Sequence, residues 1–164
     1  MAANIPRLRN LILYVSAKCQ HDVFWGATKL NKILARADFG FYEKHRRSIT
    51  DSNYNALEYG PSPSAVVPTL QELVDEDKLV IQELGRQRRP IPLAEYDISD
   101  FTAEEISMVD EAIQELRREW PTCCTEFRLA LYCRARDVHE SVGLARENLR
   151  HAHATRGGLA ECIA

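Results

Sequence analysis

Residues 59–63 read Tyr-Gly-Pro-Ser-Pro, and this run constrains the chain more than any other. Each proline fixes its own φ and pushes the preceding residue toward extended geometry, so Gly60 and Ser62 cannot continue a helix. The serines are ready N-cap acceptors, which places the start of the next helix near Ser64, with Pro68 in or just past its first turn. The elbow reads as a rigid corner joining a short extended segment to a helix whose buried stripe is Leu70, Leu73 and Val74. That helix ends at the acidic Asp75-Glu76-Asp77.

Upstream, Ile5, Leu8, Ile12, Val15 and Cys19 recur at three- and four-residue spacing, which predicts an amphipathic helix over 5–19 with Pro6 in its first turn. After a break at Gly26, Leu30, Ile33, Leu34, Ala37 and Phe41 repeat the pattern. Lys29, Lys32 and Arg36 fall on the other side, so this second helix is expected to have a basic outer face. The β-branched and aromatic residues of 45–59, around a Thr-Asp-Ser-Asn cluster, suggest short extended pieces at 48–50 and 55–58.

Downstream, two apolar runs flank Gly85-Arg-Gln-Arg-Arg89, the pattern of a β-hairpin with a basic tip. Thr102-Ala-Glu-Glu105 is a capping box, opening a helix with Ile106, Val109, Ile113, Leu116 and Trp120 on one face and Pro121 as its stop. The expected fold is mainly α (α+β), in the order helix, helix, strand, helix, hairpin, helix, which is that of a winged helix. A domain over 1–121 is followed by 122–164, whose periodicity decays and whose end is expected to fray.

The bulk numbers narrow the function. The 164 residues suffice for one core, and 45% hydrophobic with 27% charged residues is an ordinary globular balance. A net charge of −3 supplies no global field for nucleic acid or an anionic membrane. No run of about 18 apolar residues occurs, so no membrane span is expected. The two arginines ahead of LILYV superficially suggest a secretory signal, but the apolar core is too short. Five cysteines (Cys19, Cys123, Cys124, Cys133, Cys162) without a C-x-x-C pair fit free thiols in a reducing cytoplasm.

Catalytic chemistry finds little support. No G-x-S-x-G elbow or cysteine-hydrolase context surrounds any nucleophile. Cys123, Cys124, Cys133 and His139 cluster loosely without the paired knuckles of a zinc site. No glycine-rich loop cradles phosphate, and Glu104-Glu105 and Asp75-Glu76-Asp77 read as capping and solvated charges at helix ends. The chain is therefore expected to be neither an enzyme nor the holder of a cofactor or metal. Lys44, Arg46 and Arg47, with Arg86, Arg88 and Arg89 on the hairpin, could contact phosphates as a wing does. Against DNA reading, the helix in the recognition position offers acids and almost no Arg, Lys or Asn for base edges.

Thr28-Lys-Leu-Asn-Lys32, Ala37-Asp-Phe39, Tyr42, Arg47-Ser-Ile-Thr50, Tyr54, Tyr59-Gly-Pro61-x-Pro63 and Pro68-Thr-Leu-Gln-Glu-Leu73, in this order and followed by the hairpin and the capping-box helix, resemble the Panacea domain of SocA-like antitoxins. The resemblance covers about residues 5–120. It implies a cytoplasmic bacterial or phage-borne antitoxin that neutralises a toxin, encoded by the neighbouring gene, through direct contact. For the SocA type it also implies an adaptor that delivers the toxin to the ClpXP protease. Under this reading Lys29, Lys32, Tyr59, Gly60, Pro61 and Pro63 are candidate partner contacts, the two lysines having the plainer alternative of solvated helix charges. Asp38, Thr50 and Tyr54 are structural, with Asp38 capping or hydrogen-bonding the adjacent loop. Arg86, Arg88 and Arg89 matter under the alternative of a winged-helix transcriptional regulator. The C-terminal part departs from the family: Asp137-Val-His139-Glu140-Ser-Val-Gly143 keeps the His and Gly but lacks the Leu-Ser and the Trp. A partner-specific tail and a frameshifted or truncated end are both open readings.

Overall fold

The structure, a computed structural model, describes residues 3–57 and 60–117. Four helices and two antiparallel strand pairs follow in the order α1 (Ile5–Cys19), α2 (Ala27–His45), β1 (Tyr54–Leu57), β2 (Gly60–Pro63), α3 (Val66–Asp75), β3 (Leu79–Leu84), β4 (Gln87–Pro92) and α4 (Ala103–Arg117). The mainly α architecture matches the order of sequence signals, with one strand more between α2 and α3. Tyr59, Trp120, Pro121, the 122–164 extension and its Cys123, Cys124, Cys133 and His139 lie outside the described residues. Among the described residues no helix is long and apolar enough to cross a membrane.

In α1 the expected stripe Leu8, Ile12, Val15 and Cys19 is buried, but so are Leu11, Leu13, Tyr14 and Ser16. The helix is enclosed on more than one side because α2, α3, α4 and β4 all pack against it. The centre of the molecule is α2, gripped by α4 and β2 and touched by α1 and β4. Nearly every position from Lys29 to Phe41 is buried, so the basic outer face is not present. Lys29 and Lys32 are 2% and 5% exposed. Between Lys29 and Phe41 the helix is covered on both flanks and keeps little solvent face, and Lys29 turns inward to Asp22.

The Tyr-Gly-Pro-Ser-Pro elbow is itself a strand. Gly60–Pro63 pairs with Tyr54–Leu57, in register Tyr54 with Pro63 and Leu57 with Gly60. The prolines occupy alternate positions, 61 and 63, so their missing N–H groups face away from the partner strand. The same parity continues into the next residue, whose N–H meets Asn53 O at 2.7 Å. Gly60 takes φ 120°, a backbone angle that favours glycine. The extended piece expected at 48–50 is instead a bend, and β1 begins at Tyr54.

The serine cap is another correction. The N-cap of α3 is Ala65, whose side chain has no acceptor to offer, and Ser64 lies one position before it with its N–H on Asn53 O. Pro68 does lie in the first turn. The acidic end has more structure than solvated charge. Asp77 adopts φ 56°, with Asp77 N bonded to Val74 O at 3.0 Å and Lys78 N to Leu73 O at 2.9 Å, a Schellman closure in which aspartate fills the usual glycine position.

The β3–β4 hairpin pairs Leu79 with Pro92 and Leu84 with Gln87 around Gly85-Arg86. Its tip therefore carries only Arg86, while Arg88 and Arg89 belong to β4. The capping box closes α4 in both directions: Thr102 N donates to Glu105 Oε2 at 2.8 Å and Glu105 N to Thr102 Oγ1 at 3.2 Å. Met108, Val109, Ala112, Ile113 and Leu116 then join the core formed by α1, α2 and Trp25.

Candidate partner-binding module and its polar anchors

Three buried polar centres hold the elements in place. The first is Asp38, fully buried on α2. Its Oδ1 accepts the N–H groups of Ile49 at 2.9 Å and Thr50 at 3.0 Å. Its Oδ2 accepts the hydroxyls of Thr50 and of Tyr54, the latter at 2.6 Å. Four donors on one carboxylate satisfy it as completely as water would. The loop after α2 is thereby clamped to the helix, and Tyr54, stacked obliquely on Phe39, starts β1. Burial pushes the Asp38 carboxyl above its usual range, against the pull of these four bonds. The Tyr54 hydroxyl is driven well up, first by burial and then by the adjacent Asp38. Asp38, Thr50 and Tyr54, the three residues expected to be structural, thus lie in one hydrogen-bonded cluster.

Glu105 is the second centre, and capping understates it. The side chain is fully buried, with Arg7 Nη2 at 2.9 Å and Arg47 Nη1 at 2.7 Å. Arg7 also donates to Ile49 O at 3.0 Å and Asp100 O at 2.7 Å, and its guanidinium lies 4.3 Å from the centre of the Phe101 ring. One arginine in the first turn of α1 thus joins the loop after α2 to the start of α4. Burial raises the Glu105 pKa, but the Thr102 N–H and the two arginines outweigh it and hold the carboxyl below its ordinary value. The capping box exposes this glutamate to sequence reasoning; the partners, 98 and 58 positions away, leave no local signal.

The third centre is the 20–26 loop, organised by Asp22. Lys29 Nζ reaches Asp22 Oδ2 at 2.6 Å with both side chains buried. Arg89 Nη2 donates to Gln20 O and Asp22 O, each at 2.9 Å. Trp25 Nε1 donates to Pro90 O at 2.8 Å. Lys29 is therefore an internal ion-pair partner, and Arg89 ties the hairpin to the loop.

Of the expected partner contacts, those within the described residues do not form an exposed surface. Lys29, Lys32, Gly60, Pro61 and Pro63 are all buried, the last three against α2. Arg86 and Arg88 remain exposed, whereas Arg89 is partly buried and held. In the recognition position, α3 and its end present Glu72, Asp75, Glu76 and Asp77, with Arg9 bridging Glu72 and Glu76. Large apolar side chains exposed to solvent include Val67 at the start of α3 and, elsewhere, Val23, Leu57, Val80, Leu84 and Leu93. Among the described residues no group of three or more His, Cys, Asp or Glu side chains gathers to hold a metal.

Comparison with known families adds the deciding observation. The family model for the SocA-like antitoxin Panacea domain matches residues 30–119, more than half of the chain. The chain belongs to the SocA-like antitoxin, Panacea domain family. No curated protein and no solved structure matches it. The matched span of this Panacea domain runs from the first turn of α2 to the end of α4, so it contains the Asp38 clamp, the β1–β2 pair, the hairpin and Glu105.

Proposed function

We propose that this Panacea protein is an antitoxin that neutralises a cognate toxin in the cytoplasm by direct protein contact, without catalysis. Family membership over α2 to α4 carries the reading. The internal engagement of Asp38, Glu105, Lys29 and Arg89 supports it, since the charged groups that a sequence search singles out hold the scaffold together. In the SocA-like form of the mechanism the bound toxin is handed to the ClpXP protease, with the antitoxin as adaptor.

Coexpression with the neighbouring open reading frame tests this directly. Growth inhibition by that product alone, relieved by the antitoxin, is the expected result. A harmless neighbour, or one equally toxic with the antitoxin present, overturns it. Loss of toxin protein on rescue that depends on ClpXP selects the adaptor route, and unchanged toxin levels select occlusion. Under the alternative of a DNA-binding regulator, upstream DNA would be retarded in a salt-dependent way and released by Arg86→Glu with Arg88→Glu. Arg89 is unsuitable for that test because its loss would loosen the 20–26 loop.

A further inference from the structure

The two edges of the hairpin differ. A two-residue turn makes its closing pair, Leu84 with Gln87, a hydrogen-bonded pair, and the bonded pairs then alternate: Gln82 with Arg89, Val80 with Ile91. Three observations agree with this parity. Lys78 O accepts from Leu93 N at 2.9 Å, which continues the ladder on even positions of β3. Pro90 and Pro92, which have no N–H, fall opposite Ile81 and Leu79 at non-bonded positions. Pro90 O points away from β3, where Trp25 Nε1 meets it.

The outer edge of β4 is thus closed. Its prolines offer no donor, and the 20–26 loop lies along it through Trp25, Arg89 and Gln87, whose Nε2 donates to Val23 O at 3.3 Å. Among the described residues the outer edge of β3 carries no such device. Leu79, Ile81 and Glu83 turn their N–H and C=O groups outward, and among the described residues no backbone hydrogen bond reaches Leu79–Leu84 from any element but β4. Proteins normally blunt such an edge with proline, lysine or a covering segment. Here Val80 is 43% and Leu84 56% exposed, on the same face of the strand.

We infer that the open edge of β3 pairs antiparallel with β3 of a second copy of this chain, joining the two hairpins into a four-stranded sheet across a twofold axis. The outward groups set the parity and the exposed apolar residues set the register. Hydrogen bonds form between Ile81 and Glu83 of the second copy and reciprocally. Gln82 then meets its own counterpart on the axis, and Val80 lies opposite Leu84 of the second copy twice over. Cross-strand apolar pairs of this kind are what stabilise antiparallel sheets, and a self-complementary patch is what a twofold dimer requires. An edge with this symmetry favours a second copy over an unrelated strand. The inference is independent of the toxin-binding reading.

Sedimentation of the full chain, over a range of concentrations, is expected to show a dimer. Ile81→Pro removes an outward donor without breaking a hairpin bond, and it should convert the dimer to monomer with the helical circular dichroism unchanged. Val80→Lys with Leu84→Lys changes only exposed positions and should do the same. Gln82→Cys places two thiols across a non-hydrogen-bonded pair, with Cβ atoms about 4.5–5.5 Å apart. It should form a disulfide dimer on mild oxidation, above the level of the parent chain and of a Gln114→Cys control on the exposed face of α4. A monomer at all concentrations overturns the proposal, as does a dimer that survives both edge variants. A dimer that Gln82→Cys fails to cross-link above the control overturns the register.

Discussion

Asp38→Ala is expected to remove a large part of the folding stability of this domain. The substitution leaves two backbone N–H groups and two hydroxyls, all in the buried clamp, without their acceptor. Each orphaned buried donor costs about 1–3 kcal/mol. The hydroxyls can turn to other partners and the two N–H groups cannot, so a loss of about 3–5 kcal/mol is the expected sum. Native domains have only about 5–15 kcal/mol in hand. Asp38→Asn separates charge from geometry. Its Oδ1 can still accept from Ile49 and Thr50, and its Nδ2 can donate to the Thr50 and Tyr54 oxygens. That variant should lose about 1–2 kcal/mol. Urea denaturation followed by circular dichroism reads both. An alanine variant within about 1 kcal/mol of the parent would show that the clamp does not hold the loop.

Glu105→Gln has the second large effect and a pH signature. The glutamine keeps the shape of the capping box but leaves Arg7 and Arg47 without a counter-charge. Removing one partner of a buried ion pair costs about 3–5 kcal/mol. Arg47 is half exposed and recovers water, so a loss of about 2–3 kcal/mol is expected here. The folded-state pKa of Glu105 lies below its unfolded value near 4.5. A depressed carboxylate contributes stability that is fully present above the unfolded value and is lost as pH falls through the folded one. Stability of the parent should therefore decline below about pH 4.5 more steeply than that of Glu105→Gln, the two curves converging in acid. Parallel curves from neutral pH to well below pH 4.5 would mean that Glu105 does not hold Arg7 and Arg47 as an ion.

These two anchors also explain how much of the molecule sequence reasoning could reach. Local signals were reliable where a local cause decides. The spacing of Leu8, Ile12, Val15 and Cys19 marks α1, and Thr102 with Glu105 marks the start of α4. Asp38 beside an apolar stripe already demanded a hydrogen-bonding partner, because a buried carboxylate without one is too costly. Its four donors lie within 16 positions, close enough for the following loop to be the natural source. The Glu105 arginines come from α1 and the loop after α2, and nothing near residue 105 announces them.

The elbow shows the same division within five residues. The two prolines require extended backbone and forbid a helix, and that much is local stereochemistry. Whether an extended segment turns a corner or pairs as a strand depends on what lies beside it, and here β1 and α2 do. The lysines of α2 failed for a related reason. Charge on one side of a helical wheel means solvent only while one flank stays uncovered, and α2 has α4 on one side and β2 on another.

The sequence alone determined the order of the four helices and the hairpin, the extended backbone that the elbow prolines require, and the family to which the chain belongs, because each depends on nearest neighbours or ordered motifs. Tertiary structure alone decided which charges are internal, which hairpin edge is open among the described residues, and that Arg7, Glu105 and Arg47 form one cluster. Those outcomes depend on contacts between residues distant in the chain, and burial, unlike backbone preference, is a property of everything packed around a side chain.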